Sequence, residues 1–330
     1  MVVRFRSHVL PAGCLLALAA LLAILVVAPG AGARGRHVHV WSQRAPGGGA
    51  AWSGPGDGSP QQSYLALGDS LAFGYSEARF AEHEGDESPA FFETGYVNDF
   101  GDVLKIFDPG LRIVNDGCPG ETTESFIKGP CLYQAAGYPL HHPYAAGPDS
   151  AQLTDALGYL HEHPGAVNPI TIDIGANDAL GLIDSCKREI ACVLAGVPAL
   201  FAHIGTNLGL ILGDLRAAAP NAQIVVLGLY NPFGEARLPG SGELTAKLNE
   251  VLAGAAAAVG ARFADPLPVF DPPGALEAPT ICLLTNMCTK YEDIHPTDLG
   301  YAVLAGLILH QYVLGLPTAQ QSPWAGVRVG

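Results

Sequence analysis

The alternation of short apolar runs with longer helical patterns constrains the fold of this 330-residue chain more than any other feature of its sequence. The runs are rich in aliphatic and β-branched residues, as buried strands are. Strand candidates are 64–68, 111–115, 170–175, 222–230 and 262–270, and the helical stretches are 95–105, 150–163, 199–219, 242–259 and 296–313. Such alternation predicts a parallel sheet with helices on both faces. We therefore expect a single three-layer α/β/α domain with about five strands.

The folded domain is expected to span residues 64–316, because the composition changes on either side of it. Residues 1–33 contain two arginines and then the apolar run CLLALAALLAILVVAPGAGA, which is the pattern of a secretory signal peptide. The run is also long enough for an uncleaved membrane anchor, so a membrane tether at the N-terminus stays open. Residues 34–63 are rich in Gly, Ser and Pro and predict a flexible linker. Residues 317–330 predict a loose tail.

Charge and composition exclude one broad class of partner. The chain has 17 Lys and Arg residues against 31 Asp and Glu residues, a formal net charge of −14. Such a surface repels polyphosphate, and no basic patch of the nucleic-acid-binding type occurs. We expect no nucleic-acid partner, and nothing in the sequence indicates a cofactor or an obligate protein partner.

Six cysteines follow the leader, and an even number in an exported chain favours disulfides. Many pairings are formally possible, but the cysteines fall into three couples that are local in sequence. The predicted bonds are Cys118–Cys131, Cys186–Cys192 and Cys282–Cys288, in loops that border the functional site. A zinc site needs closely clustered Cys or His pairs, and the chain contains no C-x-x-C motif. We therefore expect no bound metal.

Four polar segments follow strand candidates or precede the last helix. They are GDSL at 68–71, NDGCPG at 115–120, GAND at 175–178 and YEDIHP at 291–296. Each segment alone is explained by turn or helix-capping chemistry. In a doubly wound, flavodoxin-like sheet, however, the carboxyl ends of adjacent strands meet at one edge. The four segments can therefore share one crevice.

Together the four segments supply the parts of a serine-dependent hydrolytic site. The hydroxyl of Ser70 is a poor nucleophile until a base removes its proton, and a histidine such as His295 is the usual base near neutral pH. The oxyanion that forms needs fixed hydrogen-bond donors. The backbone N–H of Gly120 and the side-chain amide of Asn177 are such donors.

In these blocks the sequence resembles the SGNH/GDSL hydrolase superfamily, whose four blocks are named for this Ser, Gly, Asn and His. The blocks occur in the family's order across about 64–316. The resemblance implies that Ser70 is the nucleophile and His295 the general base of a secreted esterase or lipase. It also implies an oxyanion hole made by the backbone N–H groups of Ser70 and Gly120 and the amide of Asn177.

One departure from the family's pattern concerns the group that orients the histidine. The family usually has Asp three residues before the His, but position 292 is Glu and the nearest Asp is Asp293. Either carboxylate could orient the imidazole, or a backbone carbonyl could replace both. Asp293 is favoured, because its shorter side chain loses less freedom when it is fixed.

Three other classes of protein are weighed against the serine esterase. The α/β-hydrolase fold needs a G-x-S-x-G elbow, whereas Ala72 stands where the second glycine would be. A secreted binding module of the same fold would tolerate loss of the four signature residues, yet all are present. A metal-dependent hydrolase could use His141 and His142, or His161 and His163, which we interpret as surface residues.

The substrate is less constrained than the chemistry. Residues 75–92 and the loop GYPLHHPYAAGPD at 137–149 are long enough to line or cover the crevice. Their aromatic residues favour a lipid-like or aryl ester, while their glycines and polar residues permit an acetylated sugar. An esterase or lipase is therefore the main hypothesis, and a carbohydrate O-acetyl esterase is the alternative.

Overall fold

Residues 61–316 are the part of the chain that this computed structural model describes, so the predicted signal peptide, most of the linker and the tail lie outside it. Five strands form one sheet, and every neighbouring pair is parallel. The strands are β1 Ser63–Gly68, β2 Arg112–Asn115, β3 Val167–Asp173, β4 Ile224–Leu227 and β5 Arg262–Ala264, in the order β2-β1-β3-β4-β5. This is the flavodoxin-like order, and the predicted α/β fold is confirmed.

Helices connect the strands and flank both faces of the sheet. The α-helices are α1 Ser70–Phe73, α2 Glu77–Glu82, α3 Tyr96–Phe107, α4 Thr123–Lys128, α5 Leu132–Ala135, α6 Gln152–Glu162, α7 Ala176–Ser185, α8 Ile190–Ala218, α9 Gly234–Arg237, α10 Ser241–Ala258, α11 Leu267–Phe270, α12 Glu277–Leu284 and α13 Asp298–Gly315. Short 3₁₀ helices occupy Pro89–Phe92, Gly274–Leu276 and Asn286–Cys288. The segment predicted as a loop at 75–92 therefore contains two short helices.

The core lies in two layers, one on each face of the sheet. On one face, apolar side chains of α6, α8 and α10 pack on Leu65, Ile170 and Val226. On the other face, α3 and α13 pack on Tyr64 and Val225. Adjacent residues of a strand point to opposite faces of the sheet. Because helices cover both faces, the residues that point to either face are apolar. This explains why the strands appear in the sequence as continuous apolar runs.

Element ends differ from the prediction where pairing between strands decides them. Strand β3 begins at Val167, three residues early, because an irregularity between Ser63 and Leu65 lets the strand pass Pro169. The linker likewise ends before Ser63, which is already paired in β1.

Strands β4 and β5 are shorter than predicted, because the chain leaves the sheet after each. After β4, the N–H of Leu229 donates to the side chain of Asn249 at 2.8 Å instead of to a strand. After β5, Pro266 leads directly into helix α11.

Helix α8 begins at Ile190, nine residues before the predicted start at 199. Pro198, just before the predicted start, lies inside the helix, which continues through it. Proline removes one backbone hydrogen bond from a helix interior, and here it does so at an exposed position. Among the described residues, α8 is the one helix whose length and apolar composition would suffice to cross a membrane.

Candidate active site

The first strand ends in a way that presents Ser70 at the carboxyl edge of the sheet. Gly68 has φ +137°, and a Cβ there would collide with the carbonyl oxygen of Asp173 on the adjacent strand. The side chain of Asp69 then caps α1 by accepting from the N–H of Leu71 at 3.0 Å. Ser70 is therefore the first residue of α1, a position whose N–H has no partner within the helix.

Ser70, His295 and Asp293 form a continuous hydrogen-bonded line. The distance from His295 Nε2 to Ser70 Oγ is 2.9 Å, and Nδ1 of the same ring lies 2.5 Å from Asp293 Oδ1. Asp293 Oδ1 also accepts from the His295 N–H at 3.1 Å, and its Oδ2 accepts from the N–H of Glu77 at 3.0 Å. Both ends of the imidazole are thus fixed, and one nitrogen faces the serine hydroxyl.

The loop that carries His295 is anchored from several sides. Asn286 donates its backbone N–H to the carbonyl of His295 at 2.9 Å, and Tyr230 donates its hydroxyl to the carbonyl of Ile294 at 2.8 Å. The ring of Tyr75 packs on the imidazole with centroids 4.9 Å apart. These contacts hold the histidine in place without a bound substrate.

The two candidate orienting carboxylates lie in different surroundings. Burial opposes ionisation of Asp293, but His295 and the hydrogen bonds that this carboxylate accepts outweigh it and lower its pKa. Glu292 has φ +49°, and its Oε2 is buried with no hydrogen-bond partner among the described residues. Within the described residues, Asp293 is therefore the carboxylate that contacts the imidazole.

Gly120 lies on the loop after β2, and Asn177 is the second residue of helix α7, which follows β3. Gly120 has φ +82°, which favours glycine, and a Cβ there would meet nothing within 4 Å. Asn177 Nδ2 donates to the carbonyl of Glu121 at 2.9 Å and to Asp69 Oδ2 at 3.3 Å. Within residues 61–316, the N–H groups of Ser70 and Gly120 donate to no protein acceptor. The fold thus brings all four predicted segments to one edge.

Sequence reasoning missed a pair of buried carboxyl groups behind the serine. Asp173 ends β3 and accepts from the Tyr96 hydroxyl at 2.5 Å and from the Asp69 N–H at 3.1 Å. Burial, with the neighbouring Asp173, raises the pKa of Asp69 well above its usual value. Burial also raises the pKa of Asp173. The one available signal was an acidic residue inside the apolar run ITIDIG.

A second buried polar network supports the loop after β2. Burial raises the pKa of Glu121 to about 7, against hydrogen bonds from Ser125 and Gln152 that lower it. Gln152 also donates to the Gly68 carbonyl at 3.0 Å, which links this loop to the end of β1. The position of Gly120 therefore depends on side chains far from it in sequence.

His141 and His142 are partly buried and hydrogen-bonded, whereas the sequence-based interpretation made them surface residues. His141 Nε2 lies 2.8 Å from the Phe73 carbonyl, and His142 Nδ1 lies 2.6 Å from Asp116 Oδ1. Potential ligand atoms of Asp116, His142 and Asp155 lie within 4.8 Å of one another. The carboxylates are distant in sequence from the histidine, so no local spacing revealed them. His161 is exposed, and His163 stacks on Tyr159.

Aromatic residues from both predicted covering segments pack together next to the histidine. Phe73, Phe92, Leu140 and Tyr144 form one buried cluster with the Cys118–Cys131 disulfide, and Tyr75 borders it. The other two disulfides join Cys186 to Cys192 and Cys282 to Cys288. All three disulfides link cysteines that are local in sequence.

The parallel sheet brings serine, histidine and carboxylate side chains together at its carboxyl edge, an arrangement that suits a hydrolytic enzyme. The model of the GDSL-like lipase/acylhydrolase family matches residues 66–303, and the chain belongs to this family. It is a carboxylic ester hydrolase, and the family resemblance predicted from the four blocks is confirmed.

Solved structures with similar folds include two Streptomyces enzymes. The extracellular lipase of Streptomyces rimosus is 20% identical, with a TM-score of 0.50 over 75% of this chain and 99% of that one. Phospholipase A1 of Streptomyces albidoflavus NA297 is 19% identical, with a TM-score of 0.53 over 76% of this chain and 99% of that one. At these identities the likeness concerns the fold. The search of curated proteins gave no match.

Proposed function

We propose that this protein is an exported serine esterase or lipase that cleaves carboxylic esters through an acyl-enzyme on Ser70. The observation that carries the proposal is the line from Ser70 Oγ to His295 Nε2 at 2.9 Å and from His295 Nδ1 to Asp293 at 2.5 Å. A histidine within hydrogen-bonding distance of a hydroxyl can remove its proton as attack proceeds. The carboxylate holds the ring in the required tautomer.

In the proposed acylation step, Ser70 Oγ bonds to the ester carbonyl carbon and its proton passes to His295 Nε2. The carbonyl oxygen becomes an oxyanion, which the N–H groups of Ser70 and Gly120 stabilise. The alkoxide then leaves with the proton from Nε2, and the acyl group stays on Ser70. Water, activated by the same Nε2, attacks the acyl-enzyme and releases the carboxylic acid and the free hydroxyl.

Asn177 is proposed as the third oxyanion donor, although its amide hydrogens are shared with protein acceptors in the free enzyme. Its bond to Asp69 is the longer of the two, 3.3 Å against 2.9 Å. Burial raises the pKa of Asp69 well above its usual value, which favours the neutral carboxyl, and a neutral carboxyl is a weaker acceptor than a carboxylate. Transfer of one N–H from Asp69 to the oxyanion therefore costs little.

The first experiment is a substitution of Ser70 by alanine. We expect Ser70→Ala to lower kcat for p-nitrophenyl butyrate by about a thousandfold or more, because within residues 61–316 Ser70 carries the hydroxyl that contacts His295 Nε2. A fluorophosphonate should label the wild type at Ser70 and fail to label either Ser70→Ala or His295→Ala. The exposed Ser185→Ala serves as control and should keep full activity and labelling. Labelling at a different serine would overturn the assignment.

Export is part of the proposal and rests on residues outside the described range. Residues 1–33 are proposed as a signal peptide or anchor, 34–62 as a linker and 317–330 as a tail. Three disulfides, which persist in oxidising compartments, support export, as does the extracellular location named for the similar Streptomyces rimosus lipase. The intact mass of the protein in the culture medium and in the membrane fraction tests this, since cleavage releases a protein without the leader, whereas an anchor keeps the full-length protein in the membrane.

A further inference from the structure

Helix α7 and the first half of α8 form an apolar hairpin at the edge of the molecule. We call residues 180–201 the helical tip. Ile190 and Leu194 lie one helical turn apart and are 61% and 62% exposed. Leu182, Ile183, Val193 and Val197 are only partly buried. The tip thus shows large apolar side chains to its surroundings.

The two halves of α8 differ in how they are buried. In the second half, Ile204, Leu208 and Ile211 recur at helical spacing and pack fully into the core. In an apolar 18-residue stretch of the same helix, only 6% of the residues are buried. A helix that is apolar all round is normally covered by protein or by lipid. We therefore expect the apolar side chains of the helical tip to be buried against another surface.

The helical tip is a built structure and not a loose segment. The Cys186–Cys192 disulfide closes the turn between the helices. Within the turn, the N–H groups of Lys187 and Glu189 donate to the carbonyls of Asp184 and Cys186, both at 2.9 Å. The chain satisfies its backbone polar groups here while leaving the apolar side chains outward.

The helical tip is continuous with the candidate active site. Helix α7 begins at Ala176, and the proposed oxyanion donor Asn177 is its second residue. Asp178 fixes this end by accepting from the N–H and hydroxyl of Thr123 at 2.9 and 2.6 Å. A ten-residue helix spans about 15 Å, so the crevice and the tip lie on one short rigid element. A surface that covers the tip is then within reach of the site.

The charges around the turn indicate what kind of surface the helical tip contacts. The chain carries a formal net charge of −14, but around the turn Lys187 and Arg188 balance Asp184 and Glu189. Because these four charges cancel, the apolar side chains of the helical tip can approach a zwitterionic lipid surface without electrostatic cost. The acidic remainder of the protein surface would gain no electrostatic attraction there. We infer that the helical tip docks the enzyme on zwitterionic lipid and that the ester substrate is drawn from that surface. This inference rests on the proposed esterase function of the Ser70 site.

Tryptophan placed at the tip tests docking directly. Leu194→Trp and the control Leu210→Trp lie on the same helix, and Leu210 is also exposed, at 47%. The control is about 24 Å further along the axis and on another side of the helix. With full-length protein and phosphatidylcholine vesicles, we expect a blue shift and quenching by bromine-labelled acyl chains for position 194 alone. Spectra of the wild type correct for its three native tryptophans.

Kinetics with two substrates separates docking from catalysis. Leu194→Asp should reduce hydrolysis of a long-chain ester dispersed in phosphatidylcholine vesicles by about tenfold or more, because a charge replaces apolar surface that docking would bury in the lipid. It should leave hydrolysis of soluble p-nitrophenyl acetate within about twofold, and Leu210→Asp should change neither. If the wild type did not hydrolyse the soluble ester at all, the proposed function itself would be contradicted.

Three outcomes would overturn the docking inference. One is equal quenching at positions 194 and 210, and another is an unchanged vesicle rate in Leu194→Asp. The third is a wild-type dimer that dissociates in Leu194→Asp without vesicles, which would make a second copy of the chain the cover. Added salt should not weaken docking, because apolar contact is not screened.

Discussion

The neighbouring carboxylates of Glu292 and Asp293 differ in their contact with the imidazole of His295. Asp293 accepts hydrogen bonds from both the ring and the backbone N–H of His295, as well as from Glu77. The lowered pKa of Asp293 keeps this carboxylate ionised at neutral pH. Its negative charge can therefore stabilise the imidazolium that forms when His295 accepts a proton. Glu292 makes no hydrogen bond to His295 within the described residues. The distances therefore favour Asp293 as the positioning residue.

We expect Asp293→Asn to lower kcat by about a thousandfold or more, because the amide cannot fix the tautomer or stabilise the imidazolium. Glu292→Gln should stay within about tenfold of the wild type. Steady-state kinetics on p-nitrophenyl butyrate, with thermal unfolding of each variant as a folding control, measures both. The reverse order of effects would assign the role to Glu292, and near-full activity of the double mutant would leave a Ser70–His295 dyad.

Helix α8 allows a prediction about packing within a single element. Ile211 is fully buried against the sheet, whereas its neighbour Leu210 is 47% exposed. Ile211→Ala should lower the free energy of unfolding by about 2–5 kcal/mol through lost burial and a cavity. Leu210→Ala should change it by no more than about 0.5 kcal/mol. Urea titrations compare the two, and similar losses would mean that the core does not extend along α8 as described.

The elements that the sequence predicted are those whose signal is local. Each strand is a short apolar run, and three of the four site segments follow a strand, so the meeting of these three at one edge follows from parallel topology. The start of β3 was missed because Pro169 is tolerated only through an irregularity in its pairing with β1. Asp173 was missed for a related reason: its partners Asp69 and Tyr96 are distant in sequence.

At the scale of the whole molecule, buried carboxyl groups make the free energy of unfolding depend on pH. Burial raises the pKa of Asp69, Asp173, Asp116 and Glu121, the last two to about 6 and about 7. The folded chain therefore binds more protons than the unfolded chain at mildly acidic pH. Where the native state binds more protons, the free energy of unfolding falls as pH rises. We expect the protein to be more stable at about pH 5.5 than at about pH 8.

Glu121→Gln isolates one of these groups. The pKa of Glu121 rises from 4.5 to about 7 on folding, so its contribution is full below about pH 4.5 and is lost as pH rises through about 7. That shift corresponds to about 3 kcal/mol. Gln at this position keeps a neutral side chain, so urea unfolding between pH 5 and 8 should show a flatter profile than the wild type. The exposed Glu162→Gln is the matched control and should retain the wild-type slope. An unchanged slope in Glu121→Gln would show that this carboxyl is ionised in the folded protein well below neutral pH, with its charge stabilised by Ser125 and Gln152.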